Sequence, residues 1–224
     1  NRYLNSVRNV DRLLAGFVEE LKRRNLWEEC LFVVLGDNGK AFHEHGFGNH
    51  SGPMYDEVGR TLAIVKPPGS KSPRSIRVTQ PVSHIDIAAS VPALAGVRVP
   101  ESFQGSPAHE SKAVDAPVFM YSNAIVRQYA VIEWPWKLML TELPEMRSEL
   151  YRLDSDAEER RNLYLEESGK ANALKERLES WMAIQRAYYA LGAYVDKAPP
   201  RYFGTLNRMT SGLADGETVM VKGK

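Results

Sequence analysis

The sequence predicts an α/β core followed by a β-rich appendage with one helix. Three observations carry that expectation. A long helical pattern leads into a short continuous apolar run, a second such run is followed by another helical segment, and four short strand-like runs in series precede a single strong helix.

The first helix is expected over residues 3 to 24, where Leu4, Val7, Val10, Leu13, Leu14, Phe17, Val18 and Leu21 recur at helical spacing and Asn25 supplies a stop. LFVVL, 31 to 35, is apolar throughout and rich in β-branched residues, which predicts a strand buried on both faces. TLAIVK, 61 to 66, is a second buried strand closed by Pro67, Pro68 and Gly69, with a Ser/Pro/Lys-rich loop at 70 to 75. IDIAASVPALAGV, 85 to 97, returns to helical spacing. Pro92 predicts a kink or short break in it, and Gly96 its termination.

The stretch around Pro100 to Pro117 reads as linker. APVFMYS, IVRQYAVIE, KLMLTE and ELYRLD should then pair antiparallel, and a helix over about 168 to 190 offers Leu174, Leu178, Trp181, Met182, Ile184 and Ala187 as a buried stripe. From Gly192 onward no period is visible. The organisation read from this is a core over residues 1–115, a subdomain of antiparallel sheet plus helix over 116–190, and an irregular tail over 191–224.

Composition narrows the function classes. With 224 residues the chain can bury a sizeable core, and 29 basic against 28 acidic residues make nucleic acid an unexpected partner. The single cysteine, Cys30, has no internal partner for a disulfide and is expected to be buried in a strand. No run is long enough to span a bilayer, the first residues do not resemble a signal peptide, and without an initiator Met the chain reads as a piece of something longer.

The chemistry concentrates in GDNGKAFHEHGFGNHSG, which leaves LFVVL where an open parallel sheet gathers its ligands. Asp37 offers a carboxylate and Asn38 an amide oxygen, hard donors of the kind Ca²⁺ or Mg²⁺ accept. Gly36 and Gly39 would let the backbone turn so that both converge, through unusual dihedrals. An Asp-Asn-Gly turn with no metal accounts for the same four residues and is the preferred reading from them alone.

His43, His45 and His50 follow closely. A zinc site is one reading of them, but no Cys lies nearby, the spacing is not a standard zinc pattern, and an Asp-Asn pair favours a harder ion. The preferred reading makes one histidine a catalytic acid or oxyanion contact and the rest hydrogen-bonded or surface loop residues. His84 and His109 are expected to be structural or solvent-facing.

Residues 37 to 69, DNGKAFHEHGFGNHSGPMYDEVGRTLAIVKPPG, resemble the second metal motif of the sulfatases, in the alkaline phosphatase superfamily. YLNSVRNVDRLLAGFVEEL upstream and VSHIDIAASVPALAGVRVPESFQG, WKLML and ELYRLDSDAEERRNL downstream are similar to further family segments in the same order, over residues 1 to about 185. The resemblance implies an alkaline-phosphatase-like sandwich with a mainly parallel sheet, followed by a small antiparallel sheet packed with one long helix.

It implies as well that Asp37 and Asn38 bind Ca²⁺, with Mg²⁺ or Mn²⁺ as alternatives, that His50 contacts the sulfate ester, and that His45 occupies the Glu-His-Gly position, so that His50 and His45 are the catalytic candidates. Lys40, where the family has an acidic residue, and Asn49, directly before His50, depart from the pattern.

The family nucleophile is a formylglycine made from a Cys/Ser-x-Pro/Ala-x-Arg motif, and this sequence contains no such motif. The simplest account is the C-terminal half of a sulfatase, inactive alone, whose partners are the N-terminal half of the fold and an aryl or carbohydrate sulfate ester. Family habit implies a periplasmic, extracellular or lysosomal location. A phosphodiester or phosphonate hydrolase, a phosphoethanolamine transferase of the same superfamily and a non-catalytic interaction module stay open as alternatives.

Overall fold

The computed structural model describes residues 2–69, 77–108, 116–123 and 125–190. His109, part of the expected linker and loop, and the expected tail over 191–224 lie outside the described residues.

Helix α1 spans Arg2–Arg23, and Asn25 ends it in the left-handed conformation (φ 58°) as the sequence suggests. The Asn25 N–H donates to the Lys22 carbonyl and the Leu26 N–H to the Leu21 carbonyl, the two bonds that satisfy the last orphan carbonyls of a helix. Strand β1 (Phe32–Leu35) follows, and Lys66, at the end of strand β4 (Ala63–Lys66), donates to the carbonyls of Trp27, Glu28 and Cys30 just before it.

Three expectations fail here. β1 and β4 pair antiparallel, Phe32 opposite Lys66 and Leu35 opposite Ala63, so the mainly parallel sheet is not what these strands form. The connection, residues 36–62, is long enough for a parallel crossover but holds no helix to pack across the sheet; it folds as a hairpin of two-residue strands and the four-residue helix α2 (Asp56–Gly59), and β4 returns antiparallel. The strands are also not buried on both faces. Ile64 and Leu35 are exposed, and Cys30 is half-buried and lies before β1 rather than in it.

Helix α3 (His84–Leu94) starts with a capping box in which Ser83 and Asp86 satisfy each other's backbone N–H groups. Pro92 falls in its last turn and does not break it, because the helix closes at Ala95 and Gly96 takes a positive φ. Part of the expected linker is held to this helix, since the Ser106 and Ala108 N–H groups donate to the Asp86 carboxylate and the Ser90 hydroxyl.

The C-terminal sheet forms as expected, in the order β5 (Val118–Asn123), β6 (Arg127–Glu133), β7 (Trp136–Leu143), β8 (Arg147–Arg152), all antiparallel. Period-two alternation sends Val131, Leu138 and Leu150 to one face, where helix α4 (Ser168–Ala190) buries Ala171, Leu174 and Leu178 against them. Trp181 and Met182 extend that contact, but Ala187 is exposed. The opposite face presents Ala130, Ile132, Met139 and Tyr151, and it is covered by Met54 and Tyr55 from the loop that begins at Gly36. The histidine-rich loop is therefore seated on the C-terminal sheet.

Candidate functional site

The site is built where β1 ends. The Gly36 N–H donates to the Leu62 carbonyl, and His84 Nε2, on an exposed side chain, lies 2.8 Å from the Gly36 carbonyl. A Cβ on Gly36 would lie 2.0 Å from Thr61 Oγ1, and one on Gly39 would lie 2.2 Å from the Glu57 carbonyl oxygen. Close approach, rather than an unusual dihedral, is what both glycines supply; the positive φ angles of this loop fall on His43, Gly46 and Asn49. Between the glycines, Asp37 and Asn38 are exposed in a bend, with Asp37 Oδ1 accepting from the Asn38 N–H at 2.9 Å.

A two-stranded hairpin then returns the chain. β2 (Ala41–Phe42) pairs with β3 (Gly48–Asn49), Ala41 opposite Asn49, so His50 comes back to the Lys40 end of the hairpin, and Lys40 follows the Asp37–Asn38 bend closely in sequence. The two departures from the family pattern are partners: Lys40 Nζ donates to Asn49 Oδ1 at 2.7 Å. His50 is exposed, and so is His43, whose N–H and carbonyl close the hairpin through Phe47 and Gly46.

His45 is engaged at both ring nitrogens. Nδ1 lies 2.7 Å from Glu57 Oε1, Nε2 lies 3.2 Å from the Glu159 carbonyl, and the ring stacks on Tyr55 with centroids 3.8 Å apart. Two acceptors ask both nitrogens to carry protons. Burial alone pulls the imidazole down, but the Glu57 carboxylate and the Glu159 carbonyl outweigh it and hold His45 above the usual histidine value.

Around this histidine the loop is tied to the C-terminal sheet by buried polar groups. The Met54 N–H donates to Gln128 Oε1 and Tyr55 OH to Glu149 Oε1, each at 2.7 Å. Burial, then the Glu149 carboxylate, pushes the Tyr55 hydroxyl up to about 12. The Asp56 N–H donates to Glu159 Oε2 at 2.5 Å, and Glu159 Oε1 pairs with Lys137 Nζ at 2.7 Å, both side chains wholly buried. Burial raises the Glu159 carboxyl, against the opposing pull of Lys137.

Sequence reading did not single out Glu57, Lys137, Glu149 or Glu159 by function. Glu159 belongs to the Leu-Tyr-x-Leu-x-x-Asp-x-x-Glu-x-x-Asn-Leu pattern in ELYRLDSDAEERRNL, and that pattern is the signal that pointed to it. Other positions of the pattern hold the turn after β8: Asn162 Oδ1 accepts from the Leu150 and Tyr164 N–H groups, and Asp156 from those of Arg160 and Arg161. Among the described residues no group of three His, Cys, Asp or Glu side chains is placed to hold a metal, and no helix is long and apolar enough to cross a membrane.

The sulfatase family model matches residues 1–97, the segment that carries Asp37, Asn38, His45 and His50, so the resemblance read from the sequence holds. No curated protein sequence matches the chain. Solved structures share the fold. BT4656, determined in complex with its substrate D-glucosamine-2-N,6-O-disulfate, is 22% identical, with a TM-score of 0.60 over 86% of this chain and 40% of that one. For yidJ of Bacteroides fragilis, a candidate sulfatase, the values are 16%, 0.64, 79% and 40%. For BT1596, a 2-O GAG sulfatase, they are 20%, 0.59, 80% and 41%. The chain thus spans about two-fifths of the length of these structures.

Proposed function

We propose that this chain supplies the metal- and sulfate-binding loop of a sulfuric ester hydrolase, with Asp37 and Asn38 as ligands of Ca²⁺ and His50 as the contact to the sulfate ester. The observation that carries the reading is the exposed Asp37–Asn38 bend at the end of β1, in a loop whose hairpin returns His50 to the Lys40 end, inside the segment that matches the sulfatase family.

The donor set fits a hard cation in part: two oxygen donors, one from a carboxylate whose only hydrogen bond among the described residues is to the neighbouring N–H. The remaining ligands must come from elsewhere. A bound Ca²⁺ would neutralise charge on the transferring group. His50 would donate to the ester oxygen or its leaving group, and the Lys40 charge beside it adds attraction for an anion. His45, with both nitrogens engaged, holds the loop in place.

In this reading a further half of the fold covers the exposed apolar side of α1, β1 and β4 and brings the formylglycine nucleophile, and the substrate is a sulfate ester of an aryl or carbohydrate compound. The exposed Leu4, Val7, Val10, Leu13 and Phe17 support that partner.

The test has two arms. The chain alone should leave an aryl sulfate intact, and the protein joined to a nucleophile-bearing half should bind Ca²⁺ in a manner lost on Asp37→Ala. That joined protein should hydrolyse the aryl sulfate, faster than the matching phosphate ester, with His50→Ala lowering kcat/KM about 100-fold. Hydrolysis by the chain alone, or full activity in Asp37→Ala, would refute the reading.

A further inference from the structure

We infer that Glu159 is a positioning residue for the candidate site, setting from the C-terminal sheet both the Asp37–Asn38 bend and the hairpin that delivers His50. The inference rests on the reading of Asp37, Asn38 and His50 given above.

It starts from a backbone outlier. Glu159 has φ 51°, a left-handed conformation in which its Cβ is crowded and which glycine or asparagine adopts with less cost. Such a residue persists where its surroundings over-determine it. Here they do so through three contacts. The carboxylate accepts the Asp56 N–H and pairs with buried Lys137, and the carbonyl faces His45 Nε2.

Two of these contacts lead to the site, one to each side of it, and the third ties Glu159 to the sheet. Asp56 opens α2, whose Val58 carbonyl accepts the Gly39 N–H at 2.9 Å. Gly39 directly follows Asn38 and is pressed so close to the Glu57 and Arg60 carbonyls that no side chain fits there. A shift of α2 therefore moves the bend. His45 sits between β2 and β3 in the hairpin, and its ring is gripped by Glu57 on one nitrogen and Glu159 on the other. A shift of the Glu159 carbonyl therefore moves the hairpin whose second strand leads into His50. A glutamate serving only its own subdomain would have no need of two bonds to this loop.

The test is amide hydrogen exchange and histidine-ring NMR on the full chain, well below its unfolding temperature. Glu159→Gln keeps the shape and removes the charge. It should speed exchange at the Asp56 and Gly39 amides roughly tenfold and shift the His50 ring resonances, while amides within β6 and β7 keep their wild-type protection. Glu159→Gly relieves the backbone and keeps the carbonyl. It should show the same losses at Asp56 and Gly39 with the His45 ring signals retained.

Uniformly faster exchange across the sheet would make Glu159 a plain stabilising residue and overturn the proposal. So would a change at Asp56 that leaves Gly39 and His50 unmoved, or wild-type protection in Glu159→Gly. None of these readouts needs a ligand, so a protein joined to its nucleophile-bearing half that ignores added Ca²⁺ would sink the proposed function without deciding the role of Glu159.

Discussion

The helix α1 with its strand pair β1–β4, and the sheet β5–β8 with helix α4, both carry clear apolar patterns, yet they use them differently. Leu174 and Leu178 of α4 are 0% exposed, whereas Leu13 of α1 is 62% exposed and no residue of α1 is buried. Only Leu14, Val18, Glu20 and Leu21 of that helix are half-covered. The sheet is covered on one face by α4 and on the other by Met54 and Tyr55, so its interior closes within the described residues. Among the described residues each strand of the pair has the other as its one strand partner, and the pair seals no core of its own. An amphipathic pattern specifies an element and its face, but burial needs a second surface supplied by something else. Between the two regions lies the candidate loop, anchored on the closed side and open on the other.

The largest expected effect tests the closed side. Lys137→Met should leave Glu159 as an unpaired buried carboxylate and cost about 3 to 5 kcal/mol in urea unfolding. A near-neutral result would show that water reaches the pair and that the sheet is less closed than described.

The next effect is the comparison itself. Leu174→Ala should cost about 3 kcal/mol, because it opens a cavity in a sealed core. Leu13→Ser in the same chain should change stability by less than about 0.5 kcal/mol, because water already covers that position. Equal losses in the two variants would end the distinction between the regions.

A smaller effect sharpens the joint between them. Tyr55→Phe removes the hydroxyl that donates to Glu149 while Tyr151 and Arg147 remain beside that carboxylate, so about 1 kcal/mol should be lost. No loss would mean that ring packing alone seats the loop.

The smallest effect is a pH slope. The folded-state value of His45 is raised, so its contribution to stability is present in full below the ordinary histidine value of 6.5 and is lost as pH rises through the higher folded value. Stability should therefore decline from near pH 6.5 upward, and the slope should flatten in Glu57→Gln, which removes the carboxylate facing Nδ1. An unchanged slope in that variant would assign the pH dependence to another group.

The C-terminal elements were legible because their signals are local. Alternation in RQYAVIE and ELYR and helical spacing around Leu174 and Leu178 each lie within a few residues, and strands and helix appear where the spacing puts them. The loop was legible as chemistry, since Asp37, Asn38 and three histidines crowd one stretch. Its mechanics were not. The two glycines look like dihedral devices until Thr61 and Glu57 are seen against them, and His45 and His50 look alike until one is found gripped and the other exposed.

The sequence by itself determined which of the longer segments become helix or strand, which face of the amphipathic ones is apolar, and which short loop gathers oxygen and imidazole donors. The antiparallel direction of β1 against β4, the burial of Lys137 with Glu159 and the seating of the loop on the C-terminal sheet were decided only by tertiary structure. Periodicity is written over a few neighbouring residues, whereas these three depend on surfaces that meet only after segments far apart in the chain have docked.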